Sequence, residues 1–118
     1  MYAYRSPLAL SLMRAGEPYV VVDMPQGFDS SLPPIAAATA KDLAMVRFHG
    51  RDPEVWAKKN VSASERFRYE YSVSELREWV PKIKEISVQA RETHVLMNNC
   101  YRDYAVNSAR QLGDLLEE

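Results

Sequence analysis

The sequence has a single cysteine, Cys100, so no internal disulfide can close and a reducing compartment is expected. No apolar run approaches the ~20 residues that a membrane-spanning helix needs. The opening Met1-Tyr2-Ala3-Tyr4-Arg5-Ser6-Pro7 lacks the apolar core of a secretion signal. Neither charge sign is in excess: 15 Lys and Arg stand against 16 Asp and Glu, a net charge of -1. A uniformly basic surface for coating nucleic acid is therefore excluded, although a local basic site is not. There is no internal repeat, low-complexity tract, glycine-rich phosphate loop, dinucleotide fingerprint or zinc-type spacing. Asn60-Val61-Ser62 matches a glycosylation sequon, which carries no meaning in a cytosolic chain.

What remains is the composition of a folded domain. The 118 residues are 47% hydrophobic and 26% charged, as in ordinary globular proteins and unlike disordered ones. A compact chain of this size hides roughly two-thirds of its unfolded surface, enough for a core. The expectation is a soluble, cytoplasmic, single-domain chain.

Punctuation and periodicity divide the chain clearly. Ser6-Pro7 reads as a cap and first helical position, and Leu8, Leu12, Met13 and Ala15 give an apolar stripe before Gly16, so a helix is predicted over 6–15. Tyr19-Val20-Val21-Val22 is short, β-branched and apolar on both faces, the pattern of a strand in a parallel sheet. Asp23 ends it, and four prolines and glycines make a loop, with a helical turn allowed over 35–40. A second strand is read over 43–50 and a third over 93–97, ending in Asn98-Asn99. Between them, 51–71 reads as a polar loop pinned by Trp56, Phe67, Tyr69 and Tyr71. Residues 72–90 carry a capping box, Ser72 with Glu75, and a helical apolar face interrupted by Pro81. A last helix is predicted over 104–116. Strands alternating with helices indicate an α/β fold with about three parallel strands and three helices.

Three buried parallel strands make a poor sheet by themselves, because two of the three would be edges. Missing strands are expected from another part of the polypeptide or from a second copy. Val22–Phe28 (Val-Asp-Met-Pro-Gln-Gly-Phe), Val46–Arg51 (Val-Arg-Phe-His-Gly-Arg), Arg68–Tyr71 (Arg-Tyr-Glu-Tyr) and Asn98–Val106 (Asn-Asn-Cys-Tyr-Arg-Asp-Tyr-Ala-Val) resemble, in order, the YecE-like family, the domain of unknown function number seventy-two. The resemblance implies the C-terminal portion of a (β/α)8 TIM-type barrel roughly twice this length, here represented by its last three strands and their helices. It implies no activity or cofactor, so a fold is carried over and a reaction is not. The chain departs from the family pattern at Met24, Asp52 and the Tyr69–Ser72 segment, and no role is carried over to those positions.

The residues themselves converge on the strand ends. Each strand begins apolar and finishes polar: Asp23, then Arg47 and His49, then Asn98 and Asn99. Alternation puts Arg47 and His49 on one face and Val46 and Phe48 on the other. In a barrel the carboxyl ends of the strands hold the active site. Asp23 either orients a catalytic group or caps backbone amides. Arg47 either holds an anion or pairs with Asp23 in a buried ion pair. His49 is a candidate acid, base or ligand, or a hydrogen-bonded core histidine. Arg51 is a candidate anion contact. Of Asn98 and Asn99, one is expected to enter the site and the other to satisfy loop backbone. Tyr101 lines the pocket or seals it. Cys100 reads as structural, His94 sits too low, and two ligands beside two arginines oppose a metal.

Three functional classes remain. The first is an enzyme acting on a small anionic or phosphorylated molecule, with Arg47 and Arg51 holding the anion, His49 as acid or base and Asp23 orienting it. The second is a nucleic-acid module, because residues 47–69 carry six basic residues against three acidic ones with Trp56, Phe67 and Tyr69 interleaved. The third is a truncated chain without activity of its own, oligomeric or poorly packed when isolated.

Overall fold

The computed structural model describes residues 19–28, 31, 38–62, 65, 68–99 and 101–118. The helix predicted over 6–15, the first half of the turn over 35–40, Phe67 and Cys100 lie outside them.

Three strands form one sheet: β1 (Val20–Asp23), β2 (Leu43–Phe48) and β3 (Glu92–Met97). Their order is β1-β2-β3 and both pairings are parallel. The α/β class expected from alternating elements is the observed one. Antiparallel neighbours can join by a tight hairpin, whereas these parallel strands require the long crossovers that the chain contains.

The register decides which residues work together. Val21 lies opposite Val46, and Val46 opposite Val95; Asp23 lies opposite Phe48, and Phe48 opposite Met97. These side chains share one face, which packs on helices α2 (Val73–Ser87) and α3 (Tyr104–Glu117). Val21, Val46 and Phe48 join Leu76, Trp79 and Leu112 in the core. The Phe48 ring meets Tyr71 and Trp79 edge-on, each at 5.3 Å between centroids, an arrangement favoured by the ring quadrupoles. The opposite face carries Val22, Met45, Arg47, His94 and Leu96, since these occupy the alternate positions. Leu96 there is 43% exposed.

The segment over 51–71 is less irregular than its polarity implies. It contains a short helix, α1 (Pro53–Ala57), capped by Asp52, whose carboxylate accepts from Glu54 N at 3.0 Å. Proline at its first turn lacks only an N–H that has no intrahelical partner anyway. Three helices are thus described, and α1 is one that the sequence reading placed within a loop.

Helix α2 starts where its capping box places it. Ser72 Oγ accepts from Glu75 N at 3.1 Å, and a Glu75 carboxylate oxygen accepts from Ser72 N at 2.9 Å. It closes earlier than its apolar pattern suggests, because Gln89 N and Ala90 N both donate to Ile86 O. Pro81 does not end it. Pro81 and Arg77, whose carbonyl loses its donor, are both on the exposed side, where water satisfies that carbonyl. Among the described residues no helix is long and apolar enough to cross a membrane.

Replacing Ser72 with Ala removes one half of the capping box and is expected to lower stability by about 1 kcal/mol. A chemical denaturation midpoint unchanged from wild type would show that the box does not hold this end of α2.

Candidate functional site at the carboxyl ends of the strands

Two bonds beyond the regular ladder keep the strand ends level. His49 N donates to Asp23 O at 2.8 Å, and Asn98 N donates to Phe48 O at 2.8 Å. Polar side chains leave this rim toward both faces of the sheet, and alternation sorts them into two groups.

On the open face, Arg47 Nε donates to Asn98 Oδ1 at 3.2 Å. Arg47 is half-buried, and among the described residues it forms no ion pair with a carboxylate. His49 follows two residues later on the same face, its ring 6.0 Å from that of Trp56. Burial pulls the His49 pKa below its ordinary 6.5, the Arg47 charge lowers it further, and the Asp23 charge opposes them. At neutral pH this face therefore presents a neutral imidazole beside a fixed cation.

On the helix-covered face, Asp23 is buried and accepts two hydrogen bonds from Arg51 Nε, at 3.0 and 3.1 Å. Arg51 also meets Glu78 at 3.1 Å and Glu75 at 3.5 Å. Burial disfavours its charge, but the Asp23 and then Glu78 interactions outweigh that and raise its pKa above the ordinary value. The Tyr71 hydroxyl lies near Asp23 and accepts from Gly50 N at 2.8 Å. Burial first, and the Asp23 charge second, keep Tyr71 protonated well above its usual range. Tyr69 hydroxyl donates to Glu75. A cavity of about 240 Å³ borders this network, lined in part by Asp23, Gln26, Arg51, Glu78 and Lys82.

Gly50 is fixed in this arrangement by two constraints. Its φ is +95°, and a Cβ there would lie 2.6 Å from Tyr69 Cβ, which is bound directly to backbone and has little freedom to move.

The residues expected at the site thus separate. Arg47, His49 and Asn98 come together on the open face. Asp23 and Arg51 pair with each other on the opposite one, so the partner of Asp23 is Arg51 and not Arg47. Asn98 faces Arg47, whereas Asn99 is fully buried, its amide donating to Tyr69 O at 2.8 Å and Ser108 Oγ at 3.1 Å. Asn99 therefore ties the end of β3 to the loop between β2 and α2 and to α3. Tyr101 is half-buried with Arg68 over its ring at 4.2 Å and Arg102 at 5.4 Å. Tyr71, Glu75, Glu78, Arg68 and Arg102 were not legible as site residues. Arg68, Tyr71 and Arg102 lie within the quoted motifs, and Arg68 within the basic segment, but none is singled out there as a site residue. Among the described residues, no group of three or more His, Cys, Asp or Glu is placed to hold a metal ion.

A parallel sheet with polar side chains gathered at its carboxyl ends defines an α/β protein of the kind that places ligands there. The chain belongs to the family described as "Protein of unknown function DUF72", whose profile matches residues 3–118. It is 33% identical over 112 residues to UPF0759 protein YunF of Bacillus subtilis, covering 92% of this chain and 40% of that protein. A solved DUF72 family protein, TM1631 of Thermotoga maritima, superposes with a TM-score of 0.83 at 34% identity, over 97% of this chain and 42% of that one. EF0366 of Enterococcus faecalis gives 0.84 at 26% identity, over 94% and 41%. The chain spans about two-fifths of the length of the relatives it matches.

Two outcomes are expected. Gly50→Ala forces both an unfavourable φ and a backbone-near clash, and is expected to destabilise by more than ~1 kcal/mol; an unchanged thermal midpoint would contradict this. The second concerns pH. The folded state holds the His49 pKa below 6.5, so the unfolded state binds more protons as pH falls through that window. The contribution is complete above 6.5 and is lost on descending toward the folded-state pKa. Between pH 7.5 and 5.5, His49→Gln is expected to lose less stability than wild type, and equal losses would contradict the assignment.

Proposed function

We propose that the chain is the C-terminal portion of a (β/α)8 barrel that binds a small anionic or phosphorylated molecule at the carboxyl ends of its strands. Arg47 contacts the anion, Asn98 orients Arg47, and His49 serves as general acid or base. The observation that carries this reading is Arg47: a half-buried guanidinium, held by a neutral amide and lacking a carboxylate partner among the described residues. An uncompensated charge in a partly buried setting is unfavourable, and an anionic ligand relieves it. The neutral imidazole beside it is in the state a general base requires. Asp23 and Arg51 are framework in this reading: they fix the backbone on either side of His49 and do not touch the ligand.

The barrel reading draws support from the share of each relative that the chain spans and from the sheet itself. In the described sheet β1 and β3 are outer strands, and Leu96 is exposed on the open face. Exposed edges and apolar surface favour association. The isolated 118-residue chain accordingly pairs with another copy or aggregates. A small ligand is preferred to nucleic acid because two of the aromatics that motivated the latter, Trp56 and Tyr69, are engaged. Trp56 lies beside His49, and Tyr69 packs on Tyr71 at 5.0 Å while bonding Glu75.

The test is a thermal-shift series on the full-length protein with inorganic phosphate, phosphate monoesters and small carboxylates. At least one small carboxylate is expected to raise the wild-type midpoint, and Arg47→Ala to abolish that shift. A carboxylate shift that survives both Arg47→Ala and His49→Ala, or no anion-induced shift in wild type, would refute the reading.

A further inference from the structure

The loops following β2 and β3 bring together a second group of cations that the site above does not use. Arg68 comes from the end of the first loop, and Tyr101 and Arg102 from the second. Both guanidiniums lie against the same Tyr101 ring, Arg68 at 4.2 Å and Arg102 at 5.4 Å from its centroid. Tyr101 is itself half-buried and packs against Tyr104 at 5.5 Å, whereas Arg68 and Arg102 are exposed.

Two features make this more than a solvated surface. Among the described residues Arg51 and Arg77 pair with carboxylates, whereas Arg47, Arg68, Arg91, Arg102 and Arg110 do not; the shared ring is what sets Arg68 and Arg102 apart. Arg68 and Arg102 share one ring, and among the described residues neither forms an ion pair, not even with the neighbouring Glu70 or Asp103. Two like charges on one small ring repel, and the arrangement is relieved when a doubly charged anion sits between them. The second feature is chemical. A guanidinium held against an aromatic ring uses its face, while its N–H donors lie in its plane. Those donors are left to make the paired hydrogen bonds that suit phosphoryl oxygens. In (β/α)8 barrels the loops after the last two strands are a recurrent place for phosphate, and these are the two loops that supply Arg68, Tyr101 and Arg102 if the barrel reading holds.

We propose that Arg68 and Arg102, supported on the Tyr101 ring, form a binding site for a phosphoryl group of the ligand, separate from the Arg47 contact. This rests on the functional reading above and makes the ligand a phosphorylated one: its phosphoryl group is anchored at the rim and its remaining polar part reaches Arg47 and His49.

The test is calorimetric titration of full-length protein with inorganic phosphate at low ionic strength. Each variant is checked by circular dichroism for an unchanged fold. Arg68→Met and Arg102→Met are each expected to weaken phosphate binding about tenfold or more, in line with losing a hydrogen-bonded charge. Tyr101→Leu, which keeps both charges, is expected to weaken it severalfold, and Arg110→Met, on the exposed side of α3, to leave it within twofold. Phosphate affinity lost in Arg47→Met but kept in Arg68→Met and Arg102→Met overturns this site and leaves the Arg47 reading standing. Equal weakening by Arg110→Met also overturns it, as a net-charge effect. Absence of phosphate binding to wild type overturns it too, while the carboxylate arm of the thermal-shift series then decides the Arg47 reading by itself.

Discussion

The ion pair between Asp23 and Arg51 is the contact on which the strand-end architecture depends. Asp23 closes β1 and is buried; Arg51 lies three residues beyond β2 and reaches back to it. The same guanidinium extends to Glu75 and Glu78 on the first turns of α2. One side chain therefore joins two adjacent strand ends to the helix that covers them. Tyr71 completes the connection, its hydroxyl accepting from the Gly50 amide beside Asp23. A buried pair of this kind adds little net stability over an apolar alternative, but removing one partner leaves an uncompensated charge. Its value is geometric: it holds the backbone at His49 and Gly50 in a single place.

That geometry divides the labour of the charged residues. The cations and anions of the helix-covered face satisfy one another. On the open face, among the described residues, Arg47 has only a neutral partner, Asn98. The contrast between a closed network on one side of the sheet and an open cation on the other is what separates framework from the proposed ligand contact. A ligand bound at Arg47 would meet a His49 whose position is set by the opposite face.

Much of this organisation was legible, and the rest was hidden for identifiable reasons. Short valine-rich runs and the Ser72–Glu75 box located the strands and α2, since both depend on local chemistry. Alternation within β2 correctly separated Arg47 from Val46 and Phe48. It does not relate one strand to the next, because that depends on register. Asp23 pairs opposite Phe48 and so leaves on the helix-covered face, away from Arg47, although both looked like members of one cluster. The same ambiguity left Asn98 and Asn99 unassigned until the register put Asn98 beside Arg47. Helix α1 passed as loop despite Asp52-Pro53, a capping signal of the same type as Ser6-Pro7; five residues are too few for a periodicity to register. Glu75 and Glu78 gave no cue, since acidic residues on an outer helix face normally face solvent, and only the fold brings Arg51 over them.

The central claim is that Arg47 is an open cation whose charge is completed by a bound anion, and His49 reports on it directly. The measurement is an NMR titration of the His49 ring in the full-length protein, with and without a saturating small anion. Without ligand its pKa is expected below 6.5, owing to burial and the Arg47 charge. An anion at Arg47 offsets that charge and favours the imidazolium, so the pKa is expected to rise. A His49 pKa that is unchanged by any anion the protein binds would contradict the account.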